Sequence, residues 1–324
     1  MSAGVGRPTR ILAVVDPEDA QIALQSAAAL ADLHGAAMEV LACVEPPHDL
    51  AVIARLASLE PETLMAGLVE RTREDVRALV AEAFPGSGIE ARVIVGKAFI
   101  EIVRHVSATG CDFVIKKAEP LSGFTRFLLS STDQHLLRKC PCPVWLQTPA
   151  APATPRRVLA AVDLDVWDAA EPDTLAGLNR RVLEAACGIA GAAEAEVHVL
   201  HAWDAVGEGM VWAFSGGDDA RLSADRYVNE ILDTRRQAMR QFLSEVQAEG
   251  PPGPRLLPLL ERGAPEQVIH EQSQRLQADV VVMGTVARTG LSGVFIGNTA
   301  ENIINSLECP VLAVKPEGFV SPLL

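Results

Sequence analysis

Aromatic residues are scarce in this chain: 4 Trp, 1 Tyr and 9 Phe make up 4% of 324 residues. The cores must be filled by Val, Leu, Ile and Ala, which suits parallel sheets covered by helices. Positive charge is short as well, with 28 Lys and Arg against 42 Asp and Glu and a formal net charge of −14. A field of that sign opposes general binding to nucleic acid or to an anionic membrane, though it leaves room for one local anion site. The six cysteines (Cys43, Cys111, Cys140, Cys142, Cys187, Cys309) contain no CxxC pair and are too sparse for a disulfide scaffold. They read as buried, reduced thiols. No apolar run approaches the ~20 residues that span a bilayer. The opening MSAGVGRPTR carries no apolar signal core. A cytoplasmic protein is the expectation. Nucleotide-hydrolase and esterase signatures of the G-x4-G-K-[S/T] and G-x-S-x-G kinds are missing too, as is an SGGxDS-like loop after the first strand.

What is present is an alternation of short apolar strands and amphipathic helices, the pattern of βαβ units. Strands are expected at Arg10–Val15, Met38–Val44, Ile89–Val95, Asp112–Ile115 and Pro143–Gln147. Helices are expected over Glu18–His34, Pro61–Ala83, Ala98–Ala108 and Ser131–Lys139. The uncharged stretch Thr148–Pro155 reads as a linker, after which the order starts again. Arg157–Val162 ends in Asp163 as Arg10–Val15 ends in Asp16, and Glu196–Trp203 matches Ala37–Val44. From Gly96 to Val144 the chain aligns without a gap on Gly263 to Val311, at a constant offset, with nine identities in 49 positions. So few identities persuade because they fall at strand starts, turns and a helix cap, ending in Cys-Pro-Val in both copies. A tandem duplication follows, with domains at 1–150 and 156–324.

The most informative stretch is Met283–Glu301. It joins the apolar run Val280–Val282 to an amphipathic segment starting near Asn298, with Gly284, Gly290, Gly293 and Gly297 between them. A strand–glycine–helix junction presents free N–H groups and a positive dipole end to an anion. Asn298 and Glu301 also have capping-box-like spacing, so the helix start has a structural reason of its own. In a doubly wound sheet, ligands sit at the carboxyl ends of strands where the order reverses. There Asp163 would face the 283–299 loop, its carboxylate accepting from a ribose while loop amides hold phosphates. A glycine-rich connector that binds nothing is the competing reading.

This run resembles the universal stress proteins, whose ATP-binding members carry G-x2-G-x9-G-[S/T] after the fourth strand. Gly284 and Gly297 fit the first and third glycines, Ala287 replaces the second, and Asn298 replaces Ser/Thr. The GTVARTGLSGVFIGNTAE wording, the tandem layout and the LLRKCPCPVW segment are most similar to the tandem, E-type members. The resemblance implies two tandem doubly wound five-stranded parallel sheets of order 3-2-1-4-5, the adenine-nucleotide alpha-hydrolase-like fold of universal stress proteins. It implies that the fifth strands, at Pro143–Gln147 and Pro310–Lys315, pair the two domains, and it leaves a homodimer open. It implies a stress-response regulator or sensor that binds ATP or a related adenine nucleotide, with Mg arriving on the phosphates. Asp163 would contact ribose or base; Ala202 and Met283 would line the adenine pocket. Gly284, Ala287, Gly297, Asn298 and Thr299 would lie along the phosphates. Ala287 adds a Cβ where the motif's glycine would permit positive φ; Asn298 tolerates such geometry and can cap.

In the first copy the motif positions hold Lys117, Pro120, Ser130 and Ser131. Lys117 with the helix start at Ser131 would make an anion clamp; alternatively the copy is degenerate and its lysine fills the phosphate position or reaches solvent. Cys140-Pro141-Cys142-Pro143, with His135 nearby, invites a metal reading but lacks a second Cys pair, so a turn into the strand is favoured. His198 and His201, three apart in a strand, face opposite ways. The glycine-rich 204–219 segment, with Met210, Val211, Trp212 and Phe214, reads as a lid, an interaction surface or packing between domains. An adaptor without nucleotide remains an alternative function, and slow ATP hydrolysis, which Gly297→Val would abolish, is the most catalysis the residues suggest. The sequence around Asp163 offers no evident His or Lys for acid–base work.

Overall fold

The computed structural model describes residues 5–119, 129–191, 194–215, 220–249, 253–285 and 298–324. Its first half places β1 (Arg10–Val14), β2 (Ala37–Val44), β3 (Glu90–Val95), β4 (Phe113–Lys117) and β5 (Val144–Gln147) in one sheet. Around them lie α1 (Gln21–His34), α2 (Leu50–Leu56), α3 (Pro61–Ala83), α4 (Ala98–Thr109) and α5 (Ser131–Lys139). The second half repeats this with β6 (Arg157–Ala161), β7 (Glu196–Trp203), β8 (Arg255–Arg262), β9 (Val280–Gly284) and β10 (Val311–Val314). Its helices are α6 (Pro172–Ala190), α7 (Glu208–Ser215), α8 (Ala220–Glu249), α9 (Pro265–Arg275) and α10 (Asn298–Ser306).

Each half is a parallel sheet of order 3-2-1-4-5, and the two run together as β3-β2-β1-β4-β5-β10-β9-β6-β7-β8. The halves meet at β5 and β10, which pair antiparallel with Leu146 opposite Val311 and Val144 opposite Ala313. The duplication is visible in backbone geometry. Gly96 and Gly263, at the ends of β3 and β8, have φ of +144° and +147°, a region that L side chains rarely adopt.

Alternate strand residues feed two cores, as the pleat requires. On one face Ile11, Ala13, Val158, Ala160 and Val280 pack under α1, α3, α6 and α8. On the other, Leu12, Val114, Leu159 and Val281 pack under α4, α5, α9 and α10. Both clusters contain residues of both halves. Trp145 of β5 is fully buried, edge-on to Phe113 with ring centroids 6.5 Å apart. The joint is reinforced outside the sheet by His34 Nε2, 3.0 Å from the Gly188 carbonyl oxygen, and by an ion pair between Arg138 and Glu301.

Three local expectations change. The helix expected from Glu18 begins at Gln21, because Asp16 accepts from the Glu18 N–H (3.0 Å) and sets up a 3-10 turn over Pro17–Asp19. α2 is an addition to the helices that periodicity marks. The 204–219 segment contains a helix, α7, which starts just after Gly207 and runs through Met210–Phe214 alongside α8. Tyr227 of α8 accepts from the Gly207 N–H at 3.2 Å and so fixes that start.

Candidate functional site

In the second half the chain leaves β6 toward β7 and leaves β9 toward β10, so the order reverses between β6 and β9. The crevice at their carboxyl ends is where this architecture receives ligands. Ala161 is flanked by Leu200 of β7 and Met283 of β9. Two residues further on, Asp163 therefore stands between Ala202 on one side and the Gly284–Thr285 strand end on the other.

Asp163 is held by its backbone. Its N–H donates to Asn179 Oδ1 (2.9 Å) and its carbonyl accepts from Asn179 Nδ2 (2.6 Å), Asn179 being a buried residue of α6. Its Oδ1 accepts from the Asp165 N–H at 3.2 Å, an Asx turn that aims the chain out of the strand. Met283 is buried, and Gly284 is half-buried at the end of β9. A Cβ on Gly284 would stand 2.6 Å from Leu178 Cδ2, so this glycine also lets α6 close on the sheet. Ala202 is half-buried and packs toward the α9 side of the sheet. Asn298 and Thr299 form the first turn of α10. Ala287 and Gly297, like Gly290 and Gly293, lie outside the described residues. Glu301, expected to reach back to the helix start, pairs with Arg138 of the other half.

Several participants at this crevice have no sequence signature. His201, 1% exposed, places Nδ1 3.3 Å from the Leu164 N–H and Nε2 3.6 Å from Asp165 Oδ1. Arg235 of α8 forms an ion pair with the same Asp165 oxygen at 2.9 Å and stacks over Trp167, its guanidinium 4.6 Å from the ring centroid. These contacts close the chain after β6 against β7 and α8. At the other side, Lys315 is buried at the end of β10, donating to Thr285 Oγ1 and to the Leu137 carbonyl, each at 2.5 Å. Burial pulls its ammonium down to about 7. None of Asn179, Arg235 and Lys315 can be assigned from spacing, since each reaches its partner through tertiary packing.

At the corresponding strand ends of the first half the equivalent positions are charged. Lys116, buried at the end of β4, donates to Glu119 Oε1 (2.5 Å) and the Lys117 carbonyl (3.0 Å) and forms an ion pair with Asp133 Oδ1 at 3.0 Å. Asp133 accepts from the Glu119 N–H at 2.7 Å; burial pushes its carboxyl up, against the pull of Lys116. Lys117 pairs with Asp19. Both ammonium groups thus have carboxylate partners, which favours the degenerate-copy reading over an anion clamp. The buried lysine is Lys116, one residue before the motif position, and the α5 cap is Ser130, which accepts from the Asp133 N–H. At the same offset the second half carries Met283 and Ala300 in place of Lys116 and Asp133.

Among the described residues no helix is long and apolar enough to cross a membrane. The universal stress protein family profile matches residues 8–147 and 173–315. Universal stress protein E of Salmonella typhi is 30% identical over 322 residues, covering 97% of this chain and 96% of that one. Its counterpart in Escherichia coli K12 is 28% identical over 319 residues, with the same coverage. Among solved structures, a protein described as functionally unknown from Pseudomonas aeruginosa PAO1 superposes with a TM-score of 0.67 at 28% identity, over 98% of this chain and 95% of that one. With the profile matching twice, once in each five-stranded half, the chain belongs to the universal stress protein family.

Proposed function

We propose that this stress-response protein binds ATP or a related adenine nucleotide in its second half and acts as a sensor or regulator. The observation that carries this reading is the asymmetry of the two crevices. The first is occupied by the Lys116–Asp133–Glu119 ion cluster; the second has Met283 and Ala300 at the equivalent positions and Asp163 at its rim. A carboxylate at the rim suits a ribose, since it accepts from two vicinal hydroxyls. A base would sit beside the small Ala202 side chain. Phosphates would extend toward the start of α10, whose dipole favours anions, and Mg would enter bound to them.

Calorimetric titration with ATP, ADP and AMP tests the proposal. One nucleotide should bind per chain, and Asp163→Ala should weaken it about tenfold, the worth of one or two hydrogen bonds. No heat and no thermal shift at millimolar nucleotide would sink it. A second reading, an adaptor for another protein, is favoured by α7, where Met210, Trp212 and Phe214 are 64%, 58% and 88% exposed. Pull-downs with and without residues 204–219 separate the two, because unchanged partners would count against the adaptor.

A further inference from the structure

Cys140 and Cys142 flank Pro141 in the turn between α5 and β5, and their sulfurs lie 3.6 Å apart. We propose that this pair is a redox-modification site, closing to a Cys140–Cys142 disulfide when the protein meets a hydroperoxide. The proposal is independent of nucleotide binding. A disulfide needs sulfurs about 2.05 Å apart, so the pair must close by roughly 1.5 Å. The two thiols are also made unequal. Cys140 is pulled below the usual thiol range, first by the side-chain hydrogen bond with Cys142 and then, against the effect of burial, by a backbone hydrogen bond from Cys142, with the Lys315 ammonium adding the least. Cys142, the other partner of that contact and itself buried, is held well above it. Elsewhere burial pushes Cys43 up to about 12 and Cys187 and Cys309 up to about 11, so these three are poor nucleophiles.

The chemistry balances with hydrogen peroxide as the oxidant. The Cys140 thiolate attacks one peroxide oxygen, the O–O bond breaks, and hydroxide leaves to take up a proton as water. Cys140 is then a sulfenic acid. The Cys142 sulfur displaces the sulfenic oxygen, the S–S bond forms, and a second water departs with the Cys142 proton. In total two thiols lose two electrons and two protons, and one peroxide becomes two waters.

The test treats the full-length protein with one equivalent of hydrogen peroxide, then unfolds, alkylates and maps it by mass spectrometry. The peptide holding both cysteines should refuse alkylation, be lighter by two hydrogens, and regain both thiols with dithiothreitol. Cys142→Ser should halt the reaction at a Cys140 sulfenic acid that dimedone traps. Lys315→Met, with circular dichroism matched to the parent, should slow disulfide formation below about pH 7, where the ammonium is charged, and leave it little changed at about pH 8.5. Lys139→Met should leave the rate unchanged. The proposal is overturned if both sulfurs still take alkyl groups while other cysteines oxidise, or if dimedone marks Cys142 in preference to Cys140.

Discussion

Burying an ammonium removes its hydration, and two oxygen acceptors offset that loss incompletely. Lys315 shows the result, with its pKa brought from an ordinary 10.5 down to about 7. Below about pH 7 it is protonated folded and unfolded alike, and the folded state carries the full cost of the buried charge. Between about 7 and 10.5 the unfolded chain holds the extra proton, so this group makes stability rise with pH. Urea unfolding should therefore show the parent gaining about 2 kcal/mol on Lys315→Met between roughly pH 6.5 and pH 9. A constant difference would show that the ammonium is solvated. Legibility in the sequence differs from one residue to the next. Asp163 is legible because it ends an apolar strand and recurs as Asp16. Asn179 is not, since pinning both backbone groups of Asp163 depends on where one turn of α6 lands. Nothing in the run VLAVKPEG distinguishes a buried lysine from a solvated one.

At the level of elements, the strands are the clearest features because parallel strands covered on both faces become unbroken apolar runs, as in Val280–Met283. α2 and α7 are obscure for the opposite reason. Their apolar residues, among them Leu56 and Phe214, point largely to solvent, so no amphipathic period marks them. The tie between β4 and the start of α5 makes a sharper test. Lys116→Met alone strands the buried Asp133 charge and should cost about 3–5 kcal/mol. Lys116→Met with Asp133→Ala reproduces Met283 and Ala300 of the second half and should recover some of that loss. A double-mutant cycle by chemical denaturation measures the coupling; purely additive losses would mean that the ion pair is not what joins the two elements.

For the molecule as a whole, both cores draw residues from both halves, and β5 pairs with β10 between them. The halves should melt in one calorimetric transition. Proteolytic cleavage within Thr148–Pro155 should leave two fragments that elute together, with Trp145 still shielded in fluorescence quenching. Separate melting of the fragments would show the joint to be weak. The repeat is legible from the constant offset of its later portion, whereas a strand pair linking Val144 to Ala313 leaves no local trace and follows from family resemblance alone. Carrying both partners of that pair on one chain has a consequence for dosage. The contact forms at a concentration set by the connecting chain, so it survives a dilution at which independent subunits would dissociate. It also frees each copy to drift. A homodimer would have to fill both crevices or neither, while this chain keeps Lys116 and Asp133 in one and leaves Met283 and Ala300 in the other.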